Sequence, residues 1–242
     1  MIGQNPILSV KDIHNVKMVR LLDLFSGTGS FAKACKLVGW EVVSLDIDPR
    51  PHLTHTVDIL LWNYQKQYPP GYFDMITASP PCTNYSCANR KLIKDRNLEH
   101  SDQMVQKAIE IIDYFKPKYW LIENPQTGLL KSRPFMQGIS FTDVDYCRYG
   151  YPCRKRTRFW NNIPNLSLNL CHKQCPVFDH SKNRHLYQLC ITRGKNAIPG
   201  LIEYKMTLDE RHAIPALLIT SVFEQTNMPI TKLKLKLKDQ DN

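Results

Sequence analysis

"MVRLLDLFSGTGSFAKACKLVGWEVVSLDID", residues 18–48, decides the fold class. Residues 18–25 form a compact apolar run with one acid near its end, which reads as a buried strand. The turn "SGTGS" (26–30) follows. Residues 31–40 read as a short helix closed by Gly39, since glycine adopts the left-handed conformation that ends helices. Residues 41–48 read as a second strand ending in acids. Strand, glycine turn, helix and strand together make the opening unit of a parallel α/β sheet.

The same alternation continues outward. "YFDMITAS" (72–79) and "KYWLIENP" (118–125) read as strands. Between them, residues 102–115 place Val105, Ala108, Ile109, Ile112 and Phe115 on one helical face. Residues 141–150 and 157–163 read as strands, and residues 161–205 as irregular chain. "TLDERHAIPALLITSVFEQ" (207–225) reads as a helix with Thr207 and Glu210 forming a capping box. Pro215 moves the start of its regular part to about Ile214. "KLKLKLK" (232–238) fits either an edge strand or a solvated basic tail. The expected fold is α/β, with a doubly wound, mostly parallel sheet. Residues 1–160 and 206–228 form the main domain, 161–205 a small insert and 229–242 a basic tail.

The chain has 242 residues, enough for one such domain and a real core. Its net charge of +10 favours a polyanionic partner, since Lys and Arg displace counterions from phosphates. Eight cysteines are too few for a disulfide framework in a chain of this length. The first residues lack a signal-peptide core, and no apolar run reaches spanning length. These features point to a reduced, intracellular protein without a membrane partner, in the cytoplasm or on a nucleoid.

Chemistry concentrates at the predicted strand ends. Gly27 and Gly29 let a ligand approach the backbone closely. The turn has neither the third glycine of a dinucleotide fingerprint nor a P-loop lysine. Asp46 ends the next strand, where an acid can bind a ribose diol. Asp58 is placed to accept from an exocyclic amine. In "ITASPPCTNYS" (76–86), Pro80 and Pro81 stiffen a turn that presents Cys82 at a strand's carboxyl end. Glu123, in "IENP", falls at the same end of a neighbouring strand. A nucleophile and a proton donor then face one crevice.

These stretches resemble the cytosine-C5 DNA methyltransferases. "DLFSGTGSF" (23–31) is similar to their S-adenosylmethionine motif, "SPPCTNYS" (79–86) to their Pro-Cys motif and "IENP" to their Glu-Asn-Val motif. "RKRTRFW" (154–160) resembles their Gln-x-Arg-x-Arg motif, with Arg154 at the glutamine position. "AIPALL" (213–218) resembles their final segment, for which "GKNAIPGL" (194–201) is a competing match. The resemblance covers residues 19–160 and the last helix. It implies a Rossmann-like fold that binds S-adenosylmethionine. Asp23, Phe25, Gly27, Gly29, Asp46, Asp58 and Pro80 would form the cofactor side. Cys82 would attack C6 of a cytosine flipped from duplex DNA, and Glu123 would hold N3. Arg156 and Arg158 would stand beside the flipped base, and residues 161–205 would read the target. A stand-alone monomer of viral or bacterial modification type is implied.

Two further features stand apart. Residues 82–97 carry Arg90, Lys91, Lys94 and Arg96 and suit a loop that closes over DNA phosphate. Cys171, Cys175, His180 and His185 have a spacing compatible with a structural zinc ion, with Cys190 or Cys147 as substitute ligands. Two other functions stay open on the sequence. One is an amino-methyltransferase acting on cytosine N4 or adenine N6, for which "SPPC" lacks only the aromatic residue. The other is a catalytically idle nucleic-acid-binding module. An RNA substrate is a third possibility within the same chemistry.

Overall fold

A computed structural model describes residues 18–86, 96–188, 202–203 and 206–230. Arg90, Lys91, Lys94, Cys190 and the segments 194–201 and 232–238 lie outside the described residues. The chain runs β1 (Arg20–Leu24), α1 (Ser30–Val38), β2 (Glu41–Asp46), β3 (His55–Thr56), α2 (Tyr64–Gln67), β4 (Met75–Ala78), α3 (Leu98–Phe115) and β5 (Tyr119–Pro125). It continues through β6 (Phe141–Asp145), β7 (Arg156–Asn161), β8 (Phe178–Asp179), β9 (Arg184–His185), β10 (Tyr187–Gln188) and β11 (Ile202–Glu203). Helices α4 (Leu208–His212) and α5 (Ala216–Glu224) follow.

Among the described residues one seven-stranded sheet has the order β3-β2-β1-β4-β5-β7-β6. Strands β1 to β5 pair in parallel, and β7 is antiparallel to both β5 and β6. The order reverses at β1, which lies between β2 and β4. That switch point opens a crevice at the carboxyl ends of the strands. The sheet is the doubly wound, mostly parallel one that the alternation of strands and helices predicts.

Side chains alternate between two buried layers, as the period of two requires. Leu21, Met75, Leu121 and Phe159 pack with α1 and α5 on one face. Leu22, Leu24, Ile76, Ala78, Ile122 and Trp160 pack with α3 on the other. Helix α3 starts four residues before the predicted span, where the Asn97 side chain accepts the His100 N–H. Its buried stripe also includes Ile111. The C-terminal helix is divided. The capping box opens α4, and Pro215 restarts the chain as the N-cap of α5. A proline ring inside one continuous helix would clash with the preceding turn.

Asp23 braces the sheet centre. It is buried on β1, and its carboxylate accepts Ser26 Oγ at 2.7 Å and Thr77 Oγ1 of β4 at 2.9 Å. Burial raises its pKa from 3.8 to about 6, although both hydrogen bonds oppose the shift. A carboxyl raised in the folded state stabilises fully below its unfolded pKa and loses that contribution as pH rises through its folded value. Relative to Asp23→Asn, the wild type should lose about 3 kcal/mol of unfolding free energy between about pH 4 and about pH 7. Urea unfolding of both proteins across that range checks this, and a constant difference would contradict it.

Candidate active site

The glycine turn after β1 is fastened from β2. Gly27 N–H donates to Asp46 Oδ2 at 2.8 Å, and Ser26 N–H donates to the Leu45 carbonyl at 3.0 Å. Phe25, Gly27 and Gly29 all have positive φ. A Cβ on Gly29 would fall 2.8 Å from the His52 ring, so close approach as well as backbone conformation demands glycine there. Asp46 also accepts Asp48 N–H, and Asp58 accepts Leu60 N–H.

A cavity of about 450 Å³ opens beside this turn. Asp23, Phe25, Gly27, Asp46 and Asp58 line one part of it. Pro80, Cys82, Glu123 and Lys155 line another. Gly29 is the exception among the residues expected on the cofactor side. It faces His52 rather than the cavity.

Cys82 and Glu123 both border this cavity because β1 and β4 end level beside β5, whose Glu123 lies one residue past that line. Asn124 follows Glu123 and, by strand alternation, points to the other face. Its buried Nδ2 donates to the Pro80 carbonyl at 2.9 Å, tying the proline turn to β5. After Cys82 the chain turns back, with Tyr85 N–H and Ser86 N–H donating to the Cys82 carbonyl. Arg96 donates to the Ser86 carbonyl. Cys82 is partly buried. Burial raises its thiol pKa, Glu123 pushes the same way, and Lys155 opposes both.

Sequence reasoning missed Tyr146. Its buried hydroxyl donates to Glu123 Oε1 at 2.8 Å. The Lys155 ammonium lies 4.9 Å from the centre of the Tyr146 ring and donates to the Arg211 carbonyl. Nothing local in "DVDYCRY" distinguishes such a tyrosine from ordinary core. Helix α4 carries no site role in the sequence reading, yet Asp209 and His212 line the cavity. Arg50 and Asp209 form two hydrogen bonds, of 2.8 and 3.0 Å, across its rim.

Arg156 and Arg158 are placed differently from expectation, and neither lines this cavity. Strand register explains why. Glu123 is opposite Phe159, so the odd-numbered positions of β7 share its face and the arginines take the other. Arg156 forms a fork with the fully buried Asp145, and Arg158 forms one with Asp143. The Arg158 guanidinium also stacks 3.4 Å from the Phe141 ring centre. Among the described residues Lys155 is a cation that acts on Cys82.

Cys147, Cys171, Cys175 and His185 converge with their donor atoms all within 4.8 Å of one another. His180 is not among them. It is exposed, with its ring against Phe178. Cys147, from the turn after β6, takes its place.

A doubly wound sheet thus carries a glycine turn, a cysteine and a glutamate on one switch-point cavity, an arrangement suited to a methyltransferase. The chain belongs to the C-5 cytosine-specific DNA methylase family, which it matches over residues 19–146. A probable DNA (cytosine-5)-methyltransferase of Frog virus 3 (isolate Goorha) is 32% identical over 85% of this chain and 99% of its own length. The type II methyltransferase M.HindV of Haemophilus influenzae is 25% identical over 68% of this chain and 62% of that protein. The crystal structure of S. pombe Dnmt2 methyltransferase overlays 63% of this chain and 52% of that one, at 16% identity and a TM-score of 0.43. The activity is methyl transfer to cytosine C5 in DNA, with S-adenosylmethionine as donor.

Two substitutions test the electrostatics of this cavity. A raised thiol pKa means that the nucleophilic thiolate grows with pH. Lys155→Ala removes the opposing cation and should move the rising limb of the pH–kcat/KM profile to higher pH. Below that limb, activity should fall about tenfold per unit of displacement. An unmoved limb would contradict the role of Lys155. Tyr146→Phe removes the phenol that positions Glu123 and should lower kcat about tenfold, the size of one buried hydrogen bond, with S-adenosylmethionine binding unchanged. Wild-type kcat in that variant would show that Glu123 needs no support from the phenol.

Proposed function

We propose that Cys82 is the nucleophile and Glu123 the acid that holds the ring of a cytosine flipped out of duplex DNA. One observation carries this reading: both side chains line the cavity that the glycine turn also lines. A base must leave the stack before a thiolate can reach C6. The Cys82 sulfur forms a bond to C6 while Glu123 holds N3, and electron density moves to C5. S-adenosylmethionine, when bound, supplies an electrophilic methyl group on a sulfonium. As C5 takes the methyl group, the methyl–sulfonium bond breaks and the donor leaves as a neutral thioether. The C5 proton then passes to a base, and its bonding pair restores the C5–C6 double bond. The sulfur–C6 pair leaves with Cys82 as thiolate, and any proton taken up at N3 returns to Glu123. The ring regains its double bond, so atoms and electrons balance.

The residues present fit the donor. The cavity is of ordinary ligand size. Asp46 and Asp58 are acceptors suited to a ribose and an exocyclic amine, and Phe25 offers apolar surface at the turn. Lys155 stabilises the thiolate, and Tyr146 orients the Glu123 carboxylate. Arg156 and Arg158 act through Asp145 and Asp143 as positioning residues for the last two strands.

Residues 161–205 serve as the target-reading insert, held by a structural zinc ion. The net charge of +10 supplies the general attraction to phosphate. The protein works as an intracellular monomer, and among the described residues no helix is long and apolar enough to cross a membrane.

Nucleoside mass spectrometry of DNA from cells expressing the protein or its Cys82→Ser variant tests this. Wild type should produce 5-methylcytosine, and Cys82→Ser at least about a hundredfold less. Methyl on an exocyclic nitrogen, or retained activity in Cys82→Ser, would overturn the reading.

A further inference from the structure

Three thiols and an imidazole meet at the junction between β6 and the segment that follows β7. Cys147 belongs to the turn 146–149, directly after β6. Cys171, Cys175 and His185 come from the irregular chain beyond β7. His185 Nε2 is 3.3 Å from Cys171 Sγ and 3.8 Å from Cys147 Sγ. In a tetrahedral zinc site the bonds to sulfur and nitrogen are about 2.3 and 2.0 Å, which puts neighbouring donor atoms about 3.5–3.8 Å apart. These two distances fall close to those values and every other donor pair lies within 4.8 Å, so a small inward movement would close the four groups around one ion.

Local structure supports the same reading. All three cysteines are buried, whereas His172, Lys173 and Gln174 between two of them are exposed. The turn that directs both thiols inward holds two consecutive non-glycine residues at positive φ, His172 at 42° and Lys173 at 64°. Each such residue costs about 1 kcal/mol or more. Apolar packing offers little to offset that cost, because Val177 and Phe178 are the only partly buried hydrophobics that pack against this sulfur cluster among the described residues. A disulfide could join only two of the three sulfurs, leaving a buried thiol and a half-buried imidazole beside it.

We propose that Cys147, Cys171, Cys175 and His185 bind one divalent zinc-type ion that clamps the insert to the turn after β6. This deepens the metal clause of the proposed function and is independent of the reaction at Cys82. The ligands flank the supports of the active site. Asp145 lies two residues before Cys147, and its Oδ2 accepts the Cys171 N–H at 2.9 Å as well as the Arg156 fork. Tyr146, next to Cys147, carries the hydroxyl that holds Glu123. Arg148, on the other side of Cys147, donates to the Gln174 carbonyl within the ligand turn. The ion thus joins the insert to the turn that places Glu123 and Arg156.

The test is metal content of the full chain purified without chelators, read by elemental mass spectrometry. Cobalt(II) substitution and binding of S-adenosylmethionine are measured on the same samples. Wild type should hold about one zinc per chain and give the visible bands of tetrahedral thiolate-bound cobalt. Titration with an organomercurial thiol reagent should release that zinc to an indicator dye. Cys147→Ser should lose the metal while still binding S-adenosylmethionine, and His180→Ala should keep it. If Cys147→Ser does not fold, Cys175→Ser and the wild-type mercurial titration give the same information. Wild type that takes up neither zinc nor cobalt would overturn the proposal. Zinc retained by Cys147→Ser, or lost from His180→Ala, would overturn this ligand set while leaving a metal in the insert. Because metal content is read without methylation, neither result depends on whether Cys82 is the nucleophile.

Discussion

The parallel register of β1, β4 and β5 is the constraint on which the site depends. Leu24 lies beside Ala78, and Ala78 beside Ile122, so β1 and β4 end level at one edge of the sheet and β5 carries Glu123 one residue past that line. The glycine turn, the proline turn and Glu123 leave that edge side by side. A slip of one residue in β5 would turn Glu123 to the opposite face and put Asn124 in its place. The Asn124 bond to the Pro80 carbonyl opposes such a slip, because it forms only in the observed register. Packing on both faces adds to this, since every one of the three strands buries apolar side chains above and below the sheet.

Within that frame the cavity sets competing charges close together. Glu123 and burial hold Cys82 in its protonated form, and Lys155 works against them. The thiolate is the reactive form, so burial and Glu123 favour the resting thiol while Lys155 favours its ionisation. The donor side shows a similar balance. Asp23 is a buried acid with its oxygens already engaged, which makes it a brace rather than an open ligand-binding carboxylate. Asp46 likewise spends part of its acceptor capacity on the turn itself. The same acids thus shape the glycine turn and border the space that the donor enters.

What the amino-acid sequence reveals follows from how local each feature is. The glycine turn, the proline–cysteine turn and the Glu-Asn pair are contiguous motifs at strand ends, and their mutual placement follows from the parallel topology. The arginines of β7 are different. Their direction depends on the pairing of β7 with β6 and β5, and their partners Asp143 and Asp145 are on a strand that shares no motif with them. Lys155 and Tyr146 depend on the same pairing, so a buried tyrosine looks like ordinary core until its hydroxyl is located. The cluster of three cysteines and a histidine shows the same limit. Spacing along residues 171–185 suggested His180, whereas the fold brings Cys147 from far earlier in the chain. The break between α4 and α5 was visible as Pro215, but its consequence, a short helix over the cavity, was not.

The convergence of one sulfur and one carboxylate on a single extruded ring is the central claim. It is measured most directly by incubating the protein and S-adenosylmethionine with duplex DNA containing 5-fluorocytosine at target positions. Fluorine cannot leave as a proton does, so the sulfur–C6 bond should persist. Peptide mapping by mass spectrometry should then find the modified nucleotide on Cys82, with much less adduct formed by Glu123→Gln. An adduct on another cysteine, or none from an enzyme that methylates ordinary DNA, would contradict the account.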